Sequence, residues 1–121
     1  MKTIIKRFDI QVDQALGQVK AEFELEKTVE RIGGLLLSAD RDDLLFYRGS
    51  QKIEIGGREI FPEEYESKLL MSGISLKPND RFFSLDAEPG NGMVSLAYQD
   101  SDHPQATFTP YRVSLYLKLL S

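Results

Sequence analysis

The chain has 121 residues, of which 15 are basic, 19 are acidic and none is cysteine, and 41% are hydrophobic. This length suffices for one domain with its own core, predicted to span residues 1–121, and the composition is that of an ordinary globular protein. The net charge of −4 argues against non-specific nucleic-acid binding, and the lack of cysteine excludes a disulfide framework and a thiolate metal site. Ile4 and Ile5 form too short an apolar run for a signal sequence or a membrane span, so we expect a cytoplasmic protein unless it leaves the cell within a larger assembly.

Two strands are predicted near the N-terminus. Phe8, Ile10 and Val12 alternate with polar residues, which indicates a half-buried strand. The segment 13–32 is rich in helix formers, but at about 100° per residue its apolar side chains fall on opposite sides of a helix. As a strand, residues 19–25 place apolar and charged side chains on alternate faces, and this interpretation is preferred.

The next segments contain turns and short apolar runs. Gly33 and Gly34 predict a turn or bulge before a buried strand at 35–37. Residues 40–43 are predicted to form a polar loop, and residues 44–47 to begin another strand.

The segment 52–73 changes from strand to helix patterning. Ile53 and Ile55 alternate with charged residues, and Gly56-Gly57 suits a type I′ hairpin turn that returns as a second strand. Pro62 fits the first position of a helix, and the two glutamates after it complement a helix N-terminus. A short helix is therefore predicted over 62–72, ended by Gly73.

The C-terminal part has the clearest strand patterns. A turn is predicted at 77–80, after a short apolar segment at 74–76, and a hairpin is predicted from 83–87 and 94–98. A short edge strand is predicted at 106–109. Residues 111–119 alternate most regularly of all.

Together, eight to ten short strands and one short helix near residues 62–72 predict an all-β fold, an antiparallel β-sandwich of jelly-roll-like type. The inward face of the last strand is predicted to carry Leu115 and Leu117, and the other face Ser114.

No group of polar residues predicts catalysis. Asp40 to Asp43 resembles the start of a calcium loop, but Leu45 and Gln51 occupy the sixth and twelfth positions, where an EF-hand needs glycine and glutamate. The only imidazole, His103, is predicted to lie exposed in a loop. The acidic alternation from Glu22 to Glu26 is typical of the wet face of a sheet. We expect no enzyme activity, no metal site and no cofactor.

Three apolar residues lie out of phase with the predicted core: Phe82, Tyr116 and Leu120. They are candidate assembly contacts, since a soluble chain with apolar residues on its outer surface indicates a partner. The alternative is that a second sheet or the helix covers them within the monomer.

A cysteine-free chain of this size, with jelly-roll strands, one mid-chain helix at 62–72 and a terminal strand, resembles the small single-jelly-roll capsid proteins. Those proteins form the five-fold vertices of icosahedral, membrane-containing bacteriophages. The resemblance covers most of the chain and rests on pattern and size. It implies a virion protein that forms a homopentamer, contacts neighbouring capsid subunits and anchors a spike, and it brings no catalytic residues. From the net charge and the short apolar run we expect no nucleic-acid partner and no membrane insertion.

Two other classes stay open. The first is a β-sandwich recognition module that binds carbohydrate or protein through its loops, for which Tyr47, Tyr98 and Phe108 are the candidate aromatic residues. The second is an accessory domain of a mobile genetic element or a regulatory complex.

Overall fold

The structure is a computed structural model that describes residues 2–72 and 81–121. Its elements in chain order are β1 (Thr3–Val12), β2 (Gln18–Glu24), β3 (Arg31–Ala39), α1 (Asp42–Arg48), β4 (Gly49–Ile55), β5 (Arg58–Glu66), a 3₁₀ helix (Ser67–Leu70), β6 (Phe83–Ala87), β7 (Met93–Asp100) and β8 (Tyr111–Leu120). The apolar segment at 74–76, the turn predicted at 77–80 and the helix end predicted at Gly73 lie outside the described residues.

The strands form two four-stranded antiparallel sheets. Sheet 1 has the order β1-β8-β3-β6, and sheet 2 has the order β2-β7-β4-β5. This arrangement confirms the predicted all-β sandwich. The side chains buried between the sheets include Val12, Ile32, Leu35, Ile53, Val94, Leu96, Val113, Leu115 and Leu117.

Alternation predicted most strands correctly because each sheet buries one face. In β2 the side chains of Val19, Ala21 and Phe23 point towards the core and those of Lys20 and Glu22 towards solvent, so the strand interpretation of 13–32 is confirmed there. The predicted bulge is also confirmed, because the register of β3 shifts between Ile32 and Gly34. The inward positions of Leu115 and Leu117 in β8 are confirmed as well.

The predicted hairpin at Gly56-Gly57 is confirmed. It joins β4 to β5, and both glycines have positive φ, 59° and 82°, as a type I′ turn requires.

The position of the helix is corrected. Residues 62–66 of the predicted helix continue strand β5, and only the 3₁₀ helix Ser67–Leu70 falls within its range. Pro62 is accommodated because β5 is an edge strand, where a missing N–H removes no hydrogen bond from a second neighbour. The α-helix instead occupies 42–48, where a loop and a strand were predicted.

The hairpin predicted from 83–87 and 94–98 is wrong, although both strands exist. β6 lies in sheet 1 and β7 in sheet 2, so the turn between them crosses from one sheet to the other. The edge strand predicted at 106–109 is also wrong, because this segment is irregular.

Candidate functional site

The three candidate assembly contacts lie on the outer face of sheet 1, the face turned away from sheet 2. Tyr116 of β8 stands between Leu36 of β3 and Arg7 of β1 in the strand register. The guanidinium carbon of Arg7 is 5.9 Å from the centre of the Tyr116 ring, a distance at which cation and ring attract. Tyr116 is half-buried by these neighbours.

Phe82 and Leu120 pack over the glycines of the β3 bulge. A Cβ atom added to Gly34 would lie 2.9 Å from Cβ of Phe82, and one added to Gly33 would lie 3.3 Å from Cδ1 of Leu120. The two side chains therefore fill the space that the glycines leave and are half-buried. Among the described residues, the contacts of these two side chains with Gly33 and Gly34 are to strand β3 of sheet 1 itself.

Polar side chains border this apolar group. Asp9 accepts hydrogen bonds from Arg7 Nε at 2.8 Å and from Ser114 Oγ at 2.7 Å. These two bonds hold the pKa of the Asp9 carboxyl below its ordinary value. Ser114 was placed on the outer face by its phase, and there it is almost fully buried beneath these neighbours.

The outer face of sheet 2 has a different composition. Its outward positions carry Lys20 and Glu22 from β2 and Lys52 and Glu54 from β4, and Lys52 Nζ lies 3.5 Å from Glu54 Oε1. A charged, solvated face of this kind needs no partner.

A second candidate surface is a groove beside α1, with a volume of about 490 Å³. Phe46 and Tyr47, adjacent on α1, are 44% and 41% exposed, and the Tyr47 ring lies 4.9 Å from the His103 ring. Sequence reasoning identified Tyr47 but missed Phe46. No sequence signal separates Phe46 from its neighbours, because all four residues from Leu44 to Tyr47 are apolar; the structure shows that Leu44 and Leu45 are buried and the next two residues are exposed.

Glu64 lines the same groove with an unusual backbone, since its φ is 65°. A non-glycine residue in this region costs of order 1–3 kcal/mol, and such residues cluster at functional sites.

Arg48 of α1 also lines the groove, and it forms a buried ion pair with Asp100 of β7; the two side chains are 2% and 0% exposed. Asp100 accepts from Arg48 Nη2 at 2.8 Å and Nε at 3.1 Å, from the Tyr111 hydroxyl at 2.7 Å and from the Leu16 amide at 2.9 Å. Burial raises the pKa of Asp100, but these hydrogen bonds outweigh it, so its pKa lies below the ordinary value.

Tyr98 extends this network. Its hydroxyl is 2.8 Å from that of Tyr111. Because Tyr111 already donates its proton to Asp100, Tyr98 is the donor in this second bond. Burial raises the pKa of both phenols well above their usual value, so both stay neutral. The pair is therefore structural, and Tyr98, fully buried, does not reach the surface.

Phe108 does not offer a free aromatic face either. It is partly buried against the core, and the guanidinium carbon of Arg48 lies 5.4 Å from the centre of its ring. Of the three aromatic residues predicted for a recognition module, Tyr47 alone is exposed.

The other polar groups singled out by sequence are engaged locally. Asp40 accepts from the Arg112 amide at 2.8 Å, and Asp43 accepts from Arg41 at 2.9 Å. His103 is half-buried against Tyr47 instead of fully exposed, and its Nδ1 accepts from the Gln105 amide at 3.0 Å.

Within residues 2–72 and 81–121, no three histidine, aspartate or glutamate side chains are arranged to hold a metal ion. Neither helical segment in that part of the chain has the length and apolar composition needed to cross a membrane.

No protein family, curated protein or solved structure matches this chain. Its function is therefore inferred from the chemistry of its own surfaces.

Proposed function

We propose that the sandwich is a jelly roll and that the protein is a non-enzymatic subunit of a larger assembly. The strand pairing supports the jelly roll. β1 pairs with β8, β2 with β7, β3 with β6 and β4 with β5, so the chain is one long hairpin whose tip is the β4–β5 turn. The further pairs β3–β8 and β4–β7 arise when this ribbon wraps into two sheets, as in an eight-stranded jelly roll.

The contrast between the two outer faces carries the assembly proposal. Sheet 1 presents a group of apolar side chains, interrupted by Lys118 of β8, with polar residues around it, and protein interfaces combine apolar and polar groups in a similar way. Its apolar members are Ile5, Leu36, Phe82, Tyr116 and Leu120. Sheet 2 presents mainly charged and small side chains, so the outer face of sheet 1 is the one that a partner covers.

Association through this face predicts that Tyr116→Ser and Phe82→Ser weaken self-association and leave the fold intact. Interfaces centre on aromatic and aliphatic anchors, and each substitution removes one from a half-buried surface position. Sedimentation velocity over a concentration series measures the effect, with circular dichroism to check folding. Leu69→Ser is the matched control, because Leu69 is 56% exposed and lies in the 3₁₀ helix, which is not a strand of sheet 1.

A wild-type protein that stays monomeric at high concentration, and that binds no shell subunit, contradicts the proposal. Equal weakening by Leu69→Ser would also contradict it, since apolar exposure alone would then explain association.

The particular assembly we propose is an icosahedral bacteriophage capsid, with the protein as a homopentamer at the five-fold vertices. The wrapped hairpin and the cysteine-free composition support this assignment. It predicts a discrete five-membered ring that binds neighbouring capsid subunits. Native mass spectrometry of the assembled protein tests the ring, and a stoichiometry other than five contradicts the vertex assignment.

A second candidate function is recognition of carbohydrate in the groove beside α1. The exposed Phe46–Tyr47 pair favours it, because aromatic residues at the edge of a polar groove suit the mixed surface of a sugar. Tyr47→Ala should then abolish binding on a glycan array, whereas Tyr116→Ser should leave it unchanged. Absence of glycan binding by the wild-type protein contradicts this candidate.

A further inference from the structure

An exposed leucine sits at a backbone position that normally belongs to glycine. Leu16 has φ 62° and is 61% exposed. The amide of Gly17 donates to the carbonyl of Gln14 at 3.1 Å, so these residues form a four-residue turn with Leu16 as its third member. A turn with positive φ at the third position favours glycine or asparagine there, yet the chain places an apolar side chain in solvent.

Two hydrogen bonds fix this leucine. Its amide donates to Asp100 Oδ2 at 2.9 Å, and its carbonyl accepts from Gln99 Nε2 at 3.0 Å. Asp100 is itself held by the buried Arg48. The backbone of Leu16 is therefore anchored to Asp100 and Gln99 of β7, while its side chain projects into solvent.

β1 and β2 are edge strands of the two sheets, and the turn that contains Leu16 joins them at one end of this β1–β2 edge. At the opposite end of the β1–β2 edge, an apolar cavity of about 200 Å³ lies between β1 and the segment that follows β2. Its apolar lining is Ile4, Phe8, Leu25, Val29 and Leu119. An ion pair of 3.3 Å between Lys6 and Glu26 borders it. Because an apolar cavity of about 150 Å³ can bind benzene, this one has room for a leucine side chain.

Leu16 cannot enter this cavity in its own molecule. Ile4 lies at the start of β1 and Leu16 lies beyond its other end, and the ten residues of β1 extend for about 30 Å. A second copy of the chain can bring its Leu16 to the cavity, because both features lie along the β1–β2 edge.

We propose that copies of this protein associate head to tail, with Leu16 of one copy inserted between Ile4 and Val29 of the next. The proposal rests on the assembly function proposed above and defines one of its contacts. Leu16 is the anchor, and the β1–β2 turn and residues 25–29 supply the surrounding contact. A heterologous contact of this kind closes into a ring when the rotation between copies divides a full turn.

Leu16→Gly and Ile4→Glu test the two sides of the contact. Leu16→Gly removes the projection and suits the positive φ, so the fold is at least as stable as that of the wild type. Ile4→Glu places a carboxylate at the mouth of the cavity, where Ile4 is 39% exposed. We expect each variant to raise the dissociation constant of self-association at least tenfold in sedimentation equilibrium, whereas Ile4→Val and Leu69→Ser change it less than twofold.

Mixing the two variants tests whether Leu16 of one copy enters the cavity of another copy. Leu16→Gly keeps an intact cavity and Ile4→Glu keeps an intact Leu16, so one productive contact forms only between unlike copies. Native mass spectrometry of an equimolar mixture should show mixed pairs above the statistical proportion.

Failure of this inference is distinguishable from failure of the assembly function. Suppose that the wild-type protein associates and that Tyr116→Ser weakens this self-association, whereas Leu16→Gly and Ile4→Glu do not. The head-to-tail contact is then wrong and the assembly function stands. A statistical distribution of pairs in the mixture also overturns the head-to-tail contact. A wild type that is monomeric at every concentration overturns both.

Discussion

The buried carboxylate of Asp100 accepts four hydrogen bonds from its surroundings. Its carboxylate joins α1, β8 and the β1–β2 turn through hydrogen bonds from Arg48, Tyr111 and Leu16. A buried charge is tolerated only when it is paired and its remaining lone pairs are used, and both conditions hold here. The same network supports the groove beside α1 and fixes the backbone of Leu16.

Removing this carboxylate leaves the Arg48 guanidinium buried without its main partner. Asp100→Ala should therefore lower the free energy of unfolding by about 3–5 kcal/mol, measured by urea denaturation. Asp102→Ala is the matched control, because Asp102 also contacts Arg48, at 3.4 Å, but is 89% exposed. We expect the control to change stability by less than about 1 kcal/mol. Similar losses for the two variants would mean that burial of the pair does not matter.

At the scale of elements, the tip of the long hairpin is a tightly constrained turn. A Cβ atom on Gly56 would lie 2.6 Å from the Pro89 carbonyl oxygen and 2.9 Å from Cα of Gly90. The β4–β5 turn thus packs backbone to backbone on the turn between β6 and β7. Gly57, its neighbour in the same turn, has nothing within 4 Å of that position.

Substitutions at these two glycines separate the energetic cost of an unfavourable backbone conformation from the cost of overpacking. Gly57→Ala should cost about 1–2 kcal/mol, the price of a left-handed conformation for alanine. Gly56→Ala should cost about 1–3 kcal/mol more, because overpacking forces the two turns apart. Thermal and urea unfolding of both variants measure this difference. Equal costs would show that the two turns separate freely.

The sequence predicted elements well where one side of a strand is buried and the other is wet. It failed for α1 because the run from Leu44 to Tyr47 is apolar throughout, so its period is not visible, and because a buried arginine, Arg48, completes the inward face. It failed for the 62–72 helix because the glutamates after Pro62 suit an edge strand with bulges as well as a helix N-terminus.

Local sequence patterns do not show which distant strands pair with one another. The turn at residues 89–92 has the composition of a hairpin turn, yet it joins two sheets. The candidate surfaces depend on the same long-range arrangement. Phase alone identified Tyr116 as outward, but its place beside Leu36 and Arg7 follows from the order of strands in sheet 1.

For the whole molecule, the jelly-roll pairing and the two candidate contacts are compatible. The outer face of sheet 1 and the β1–β2 edge are different surfaces that share β1. One subunit can therefore use both surfaces at the same time, each towards a different neighbouring subunit, as a vertex position requires.

The stability of the whole molecule should depend on acid pH through Asp100. Its pKa in the folded protein lies below the ordinary value of 3.8, so the unfolded state binds the proton more readily. The resulting stabilisation is fully present above about pH 5 and is lost as the pH falls through the folded pKa, below 3.8. Asp9 and Asp43 shift in the same direction, but solvent screens both and their contribution is small.

The measurement compares the unfolding free energies of wild type and Asp100→Asn from pH 7 to pH 2. The asparagine variant cannot titrate at this position, so the stability advantage of wild type should be constant from pH 7 to about pH 5 and shrink at lower pH. Asp102→Asn, at the exposed end of the same network, should follow the wild-type curve closely. An advantage of wild type that stays constant down to pH 2, or grows in acid, would show that Asp100 does not bind Arg48 as a carboxylate in the folded protein.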